Sequence, residues 1–364
     1  MSLLSELPVY WQIAIAVASA AVISLISTPL VKRLAKRIGA IDNPEDSRRI
    51  HTSPIPRLGG LAIFIGFLLC VILFADLDRQ IRGIITGAVI IVIIGVIDDI
   101  FQLRAIIKLI VQIFAAVIAV YHGVVVEAFV NPFILSEATL VELGYFAIPI
   151  TIIWIVAITN SVNFIDGLDG LAVGVSAVSS VVMLIIALVF VEINVAIVLA
   201  ALVGACIGFL PHNFNPAKIF MGDTGALLLG YVLATVSILG LFKLYAVVSL
   251  VVPLLALGIP LFDTSFAFFR RMLRGQNPMN ADRGHLHHRL LNMGLSQKQA
   301  VILMYAISAL LGFIAVVMVI STRSEVRALI LTAAVLVVGT IVYIAFKGRK
   351  KKPNDESEER NEEH

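Results

Sequence analysis

Charge is scarce in this sequence. Only 14% of its 364 residues are Asp, Glu, Lys or Arg, while 60% are hydrophobic, and the mean hydropathy is +1.01. Soluble domains carry about a quarter charged residues and have no use for so much apolar surface. A water-soluble globular fold is therefore excluded, which leaves a polytopic membrane protein. Cysteine is nearly absent. Cys70 and Cys206 are far apart in the chain and each sits in an apolar run, so they read as small core residues rather than a disulfide framework or a thiolate metal site. There is no internal repeat and no long linker. No basic residue precedes the first apolar run, which follows Glu6. A cleaved leader starts with a basic segment, so 10–31 is expected to stay as a span.

Apolar windows of roughly 17–25 residues cross a bilayer. By that measure the expected fold is an all-α polytopic membrane protein with about eleven transmembrane helices. They fall at 10–31, 58–74, 83–97, 105–121, 146–162, 171–191, 195–210, 226–242, 246–268, 300–320 and 328–346. The third is short, and Pro253 and Pro260 should kink or break the ninth. Residues 131–145 form the one sizeable loop on their side. Most of the 27 Lys and Arg lie in odd-to-even connections or after the last span. The opposite side keeps Arg79, Arg82, Lys243, Arg323 and Arg327. The positive-inside rule then places the N-terminus outside and the C-terminus in the cytoplasm. The expectation is one transmembrane domain over 1–346 and a disordered, charged cytoplasmic tail over 347–364, basic and then acidic, suited to anionic lipid.

Four polar clusters fall on the cytoplasmic side of that topology. Residues 160–170 read N-S-V-N-F-I-D-G-L-D-G between two runs without charge, 146–162 and 171–191. Asn163, Asp166 and Asp169 are spaced three apart, which on a helix gives one face. A carboxylate at bilayer depth costs about 2.5–3.5 kcal/mol, which marks it as functional by default. The bland reading is a polar re-entry turn. Asp98 and Asp99 close the third span, and adjacent carboxylates repel unless a cation, proton or donor is near. They suit a divalent metal, a cationic lid or a general base, or else a solvated span end. Lys108, near the start of the fourth span, suits a phosphate or snorkels to the interface. Residues 213–225, N-F-N-P-A-K-I-F-M-G-D-T-G, offer the hard oxygen ligand Asp223, with Gly222 and Gly225 allowing backbone to approach a ligand and Thr224 open to a capping role. His285, His287, His288 and Arg289 lie in a basic loop. Their neighbours are Arg rather than Cys or Glu, so binding of a phosphate or sugar fits better than a transition metal. The loop before the second span, with Arg48, Arg49, His51 and Arg57, fits anionic headgroups, although topology alone explains much of its charge. Hard-cation ligands beside Arg, Lys and His, next to lipid, suit chemistry between a soluble polyanion and a phosphorylated lipid.

The motifs P-R-L-G-G (56–60), D-D (98–99) with K-L-I-V-Q (108–112), N-F-I-D-G-L-D-G-L-A (163–172), N-P-A-K-I-F-M-G-D-T-G (215–225) and H-L-H-H-R-L (285–290) resemble those of the polyprenyl-phosphate N-acetylhexosamine-1-phosphate transferase family. The match spans about residues 10–346. The resemblance implies transfer of a sugar-1-phosphate from a UDP-N-acetylhexosamine to undecaprenyl phosphate, with release of UMP. It implies Mg2+, or Mn2+ in its place. Residue by residue, Asp223 matches the metal-binding aspartate and Asn163 an asparagine beside that metal. Asp98 and Asp99 match the paired catalytic aspartates. Asp166 and Asp169 match an acidic pair of the nucleotide site, Phe220 a ring beside the uracil, and Lys108 and Asn213 polar groups of the same pocket. His285, His287, His288 and Arg289 match the loop that meets sugar and phosphates. Arg289 stands where the phospho-MurNAc-pentapeptide translocase branch has a third consecutive His, a pattern that looks like the GlcNAc-1-phosphate branch of teichoic acid and O-antigen synthesis. The resemblance further implies a bacterial inner-membrane protein working on the cytoplasmic face. The bilayer and the two substrates are its partners, a second copy is the one candidate protein partner, and nucleic acid is not expected.

The expected chemistry is direct in-line attack of the lipid phosphate on the β-phosphorus. A phosphate monoester has a second pKa of about 6, so a strong base is not obligatory. Asp98 would position the nucleophile or take its residual proton, and Asp99 would hold a lysine or the metal. A two-step route through an aspartyl-phosphate is the competing scheme. The translocase is the runner-up among enzymes, and a secondary transporter is the rival outside them. Transporters, however, place their acids in broken helices of repeated halves, whereas these acids gather at span ends.

Overall fold

The computed structural model describes residues 6–42, 54–130, 140–240 and 286–321, with scattered positions in 254–262 and at 329, 332 and 339. Among them the chain is almost entirely helical. In order come α1 (Val9–Ile38), α2 (Gly59–Phe74), α3 (Arg79–Phe101), α4 (Ala105–Tyr121), α5 (Ala147–Ile165), α6 (Leu171–Val189), α7 (Ile193–Asn213), α8 (Gly222–Gly240), α9 (Leu286–Asn292) and α10 (Gln297–Ile320). Seven described helices are long and apolar enough to span a bilayer, and α2 and α4 are shorter apolar helices. Nine of the expected spans thus coincide with helices. The expected spans 246–268 and 328–346 fall largely outside the described residues, and the tail 347–364 lies wholly outside them.

The third span is not short. The Asp78 carboxylate caps it by accepting from Ile81 N at 2.8 Å, and the helix runs on through Asp98 and Asp99 to Phe101. Apolarity alone clips it at both ends because its terminal turns carry Arg79, Arg82 and the two aspartates. Two small antiparallel ladders also depart from an all-α chain. β1 (Ile41–Asp42) pairs with β2 (Ile55–Pro56), and β3 (Ala128–Val130) with β4 (Leu140–Glu142). The second ladder closes the loop between α4 and α5.

α8 is the axis of the bundle. It packs against α2, α3, α5, α6 and α7, and every residue from Thr224 to Gly240 is buried. Its hydroxyls are satisfied, as a low-dielectric interior demands: Thr235 donates to Tyr231 O and Ser237 to Ala234 O within the helix, and Ser237 Oγ also accepts from Trp154 Nε1 of α5 at 3.1 Å. α1 lies against α7 through Gly204 and Gly208, where any Cβ would run into the backbone of Val17 and Ala21. Small residues allow this closeness where packing rather than hydrophobic burial joins the helices. α10 packs on α6. The outer helices turn apolar side chains outward, among them Ile26 and Leu30 of α1 and Ile110 and Phe114 of α4. Such continuous apolar surface matches lipid and would be an aggregation liability in water.

Candidate active site

The cytoplasmic ends assigned from sequence meet at one end of the bundle. The last turns of α3, α5 and α7 converge there with the first turns of α2, α4, α6 and α8. Connections between these ends are short. α3 stops at Phe101, Gln102 takes a left-handed conformation (φ 51), and α4 begins three residues later. The turn folds Lys108 back onto Asp98. Lys108 Nζ lies 3.1 Å from Asp98 Oδ2 and 2.6 Å from Asp223 Oδ2. The Asp98 and Asp223 carboxyls are themselves within hydrogen-bonding reach of each other. The Asn163 side chain faces the same Asp223 carboxylate. Thus four residues from α3, α4, α5 and α8 form one cluster. The other oxygen of Asp98 accepts from Leu103 N at 2.7 Å, which fixes its rotamer.

Exposure separates the members. The Asp223 side chain is 28% exposed and that of Lys108 22%, whereas Asp98 keeps 10%. Asp223 and Lys108 can therefore face a ligand, with Asp98 just behind. Asp99 has a different job from the expected one. Its Oδ1 accepts from Asp223 N at 2.9 Å, and its Oδ2 from Thr224 N at 3.2 Å and Thr224 Oγ1 at 2.6 Å. Both oxygens are engaged, so it holds neither Lys108 nor a free ligand position. It acts as a cap supplied from another helix, placing negative charge on the amino end of α8. Thr224 does not cap α8 itself; its hydroxyl donates to that cap.

The glycines of 222–225 were expected to let backbone approach a ligand. Gly225 lets backbone approach backbone instead, and Gly222 makes room for the Asp99 carboxylate. Gly59 N and Gly60 N donate to Phe220 O (2.9 Å) and Met221 O (2.8 Å). A Cβ on Gly60 would collide with the Gly225 backbone, and one on Gly95 with Thr224. Gly222 has φ 72, and a Cβ there would sit on the Asp99 carboxylate. α2 and α3 thereby clamp the start of α8, and Phe220, half-buried, is held between Pro56 and Gly59.

The expected single face of Asn163, Asp166 and Asp169 is broken because α5 ends at Ile165. Two glycines follow, Gly167 and Gly170, the latter at φ 79, and the chain re-enters as α6 at once. Asp166 ends α5, half-buried. Burial, with the Asp223 and Asp99 carboxylates nearby, pushes its carboxyl up to about 8. Asp169 turns away and accepts from Asn215 Nδ2 and Ala217 N, both at 3.0 Å. It shapes the 215–217 turn rather than lining the cluster. Asn213 is likewise structural: only 3% exposed, it accepts from Gly170 N at 3.1 Å and donates to Ile219 O at 3.0 Å. Of the basic loop, Arg289 lies on α9 and is half-buried. The side chains of His287 and His288 are outside the description, as are His285 and the residues Arg48, Arg49 and His51.

Sequence reasoning missed two supports. Gln112 is 2% exposed and exchanges amide hydrogen bonds with Asn160, the shorter at 2.6 Å. The pair sits one turn from Lys108 and from Asn163, and ties α4 to α5. Helical spacing, i+4 on one side and i−3 on the other, was the available signal. Arg57 forms an ion pair with Asp42 across the first ladder, a contact that no spacing reveals.

Among the described residues no group of three or more His, Cys, Asp or Glu side chains is gathered as a metal centre. The donor set still fits Mg2+, which keeps several waters and binds one or two carboxylates plus substrate phosphates rather than a full protein cage. Two carboxylates here share an ammonium, so the site is already built to hold positive charge.

Residues 81–241 match the sequence profile of glycosyl transferase family 4. A Bacillus subtilis protein named "Probable undecaprenyl-phosphate N-acetylglucosaminyl 1-phosphate transferase" is 42% identical over 81% of this chain and 81% of its own length. The chain belongs to glycosyl transferase family 4. The decaprenyl-phosphate N-acetylglucosaminephosphotransferase of Mycolicibacterium smegmatis is 35% identical, covering 83% of this chain and 81% of the relative. The undecaprenyl-phosphate alpha-N-acetylglucosaminyl 1-phosphate transferase of Thermotoga maritima is 31% identical, covering 74% and 78%. The matched stretch contains Asp98, Asp99, Lys108, Asn163 and Asp223, so the cluster belongs to the part of the chain shared with the family.

Proposed function

We propose that this protein transfers N-acetylglucosamine-1-phosphate from UDP-N-acetylglucosamine to undecaprenyl phosphate, releasing UMP. The observation that carries the reading is the Asp98–Lys108–Asp223 cluster, where helix ends remote in sequence bring a cation and two carboxylates together at one end of a lipid-facing bundle. The transferases named above act on the same class of acceptor by their names. The donor, the cytoplasmic face, the eleven-span topology with N-terminus outside, the inner-membrane location and a role in teichoic acid or O-antigen assembly are parts of the proposal.

In the proposed mechanism Asp223 and the Asn163 amide oxygen would hold Mg2+. Bound there, the ion would neutralise the diphosphate and the charge developing on the leaving UMP. Lys108, held between Asp98 and Asp223 and partly exposed, offers its ammonium to a phosphate oxygen. Asp98, fixed by the Leu103 N–H, orients the lipid phosphate and takes its residual proton as attack proceeds in line on the β-phosphorus. Asp99 positions Asp223 through the start of α8. Phe220 and Asp166 flank the cluster where the nucleotide is expected, and Arg289 of α9 would meet the sugar or its phosphates.

The test uses purified protein, undecaprenyl phosphate, Mg2+ and a panel of UDP-sugars, scored by UMP release. Release with UDP-N-acetylglucosamine, dependent on lipid phosphate, is the expected result. No UMP from any member of the panel would overturn the reading. UMP exchange into UDP-sugar by lipid-free enzyme would replace direct attack with the two-step route.

A further inference from the structure

A second polar site lies at the opposite end of the bundle. Nineteen positions separate Arg79 from Asp98 on α3, about 28 Å at ~1.5 Å per residue, close to the ~30 Å hydrocarbon thickness of a bilayer. The start of α3 therefore meets the other membrane boundary. There the end of α2, the first turns of α3 and the end of α4 enclose an open cavity of about 630 Å3. Arg79 and Arg82 line it together with Ile72, Ile85, Tyr121 and His122.

The cavity is preorganised. Arg79 Nη2 donates to Tyr121 O at 2.6 Å, and its guanidinium stands 5.8 Å from the Tyr121 ring centroid. Arg82 Nε donates to Asp78 O at 3.3 Å. His122 Nδ1 is 2.8 Å from Ile118 O, and Gly83 allows the His122 side chain to close against α3. Neither guanidinium has a carboxylate partner among the described residues. The neighbouring acid, Asp78, accepts from Ile81 N and from Asn194 Nδ2 at 3.2 Å instead. Two guanidinia without a carboxylate partner among the described residues thus share a recess with exposed apolar walls, Ile72 being 47% and Tyr121 73% exposed. A soluble anion satisfies the cations and leaves those walls bare. A phosphodiester carrying acyl chains satisfies both.

We propose that this cavity binds the headgroup of an anionic phospholipid in the leaflet opposite the catalytic end. Arg79 and Arg82 face the phosphodiester, and Ile72, Ile85 and Tyr121 lie along the glycerol and upper acyl chain. The site is separate from the transferase cluster and does not depend on that reaction.

The probe is phosphatidylglycerol, titrated into delipidated protein in a neutral detergent and read by native mass spectrometry and melting temperature. Phosphatidylcholine and inorganic phosphate are the parallel arms. Phosphatidylglycerol should bind and raise the Tm, and neither other arm should match it. Replacing both cations (R79Q with R82Q) should weaken binding about thirtyfold and leave UMP release within about twofold of the unsubstituted protein, since neither residue is near the cluster. T86W keeps both cations but fills the cavity from an exposed position, and should also abolish the lipid effect if the double variant does not fold. Unchanged phosphatidylglycerol affinity in either variant would overturn the proposal. So would equal binding of phosphatidylcholine, or an equal effect of inorganic phosphate.

Discussion

Replacing Asp99 by Asn tests whether this residue is an active-site acid or a cap that aims one. The side chains are nearly isosteric, so packing is kept. The carboxylate accepts three hydrogen bonds, from Asp223 N at 2.9 Å, Thr224 N at 3.2 Å and Thr224 Oγ1 at 2.6 Å. An amide has one acceptor oxygen, and its NH2 would face donors. At least one donor is left without a partner beside Thr224, which is fully buried, at a cost of about 1–3 kcal/mol. Loss of the charge at the amino end of α8 adds roughly 0.3–1 kcal/mol. The sum, about 1–4 kcal/mol, should appear as a clear drop in Tm in detergent. Turnover should fall about a hundredfold if Asp223 shifts by an ångström. The companion D98N keeps an acceptor for Leu103 N, so it should lose turnover with little change in Tm. Measured side by side, D99N with unchanged Tm and a loss of turnover equal to that of D98N would refute the capping role. T224S should keep the hydroxyl contact and T224V lose it, so only the second should resemble D99N.

Three further outcomes follow from the same geometry. Lys108 competes with a cation for the Asp98 and Asp223 oxygens, so K108Q should bind Mn2+ more tightly without substrate, by electron paramagnetic resonance titration, while turning over more slowly; unchanged affinity would remove the competition. Gly60 touches the Gly225 backbone, so G60A should cost about 1–3 kcal/mol or more by overpacking, seen as a lower Tm. G39A, with open space around it, should cost only the strain of its φ of 77. Asp166 has a folded pKa raised from 3.8 to about 8. The folded state then holds a proton that the unfolded state releases, so this contribution is full below the unfolded pKa and is lost as pH rises through about 8. The Tm of cation-free protein should therefore fall more steeply between pH 5 and 9 than that of D166N (roughly the window set by the two pKa values), and parallel curves would contradict the assignment.

The helices were legible because lipid enforces them. A chain crossing hydrocarbon must satisfy its backbone internally, so apolar length alone marks the spans. The same logic blurs their ends, where charged residues sit inside helices: Arg79 and Asp99 belong to α3, though apolar windows leave them out. The clusters were legible as well, since carboxylates at span ends are costly without a purpose. What each carboxylate does was not. Asp98 and Asp99 are adjacent and chemically identical, yet 100° of helical rotation sends one to Lys108 and the other to the α8 amides. Asp169 and Asn213 look like pocket groups in a motif, but they hold turns together. Spacing along one helix cannot reveal partners that arrive from another.

That division has a physical basis. A site that must grip a diphosphate beside a bilayer needs cations and acids at fixed separations, yet its helices can only be joined by short turns. Short turns leave backbone N–H groups at every helix start without intrahelical partners. Here the start of α8 answers this with an acid from α3, and the start of α6 with the amide of Asn213 at the end of α7. The same acidic residue type therefore serves the scaffold one position away from the chemistry. If that account is right, the double substitution D99N with T224V should be less damaging to Tm than the two single losses added together, because both remove one shared contact. Strict additivity would mean that the hydroxyl and the carboxylate stabilise α8 independently, and the positioning argument for Asp223 would lose its footing.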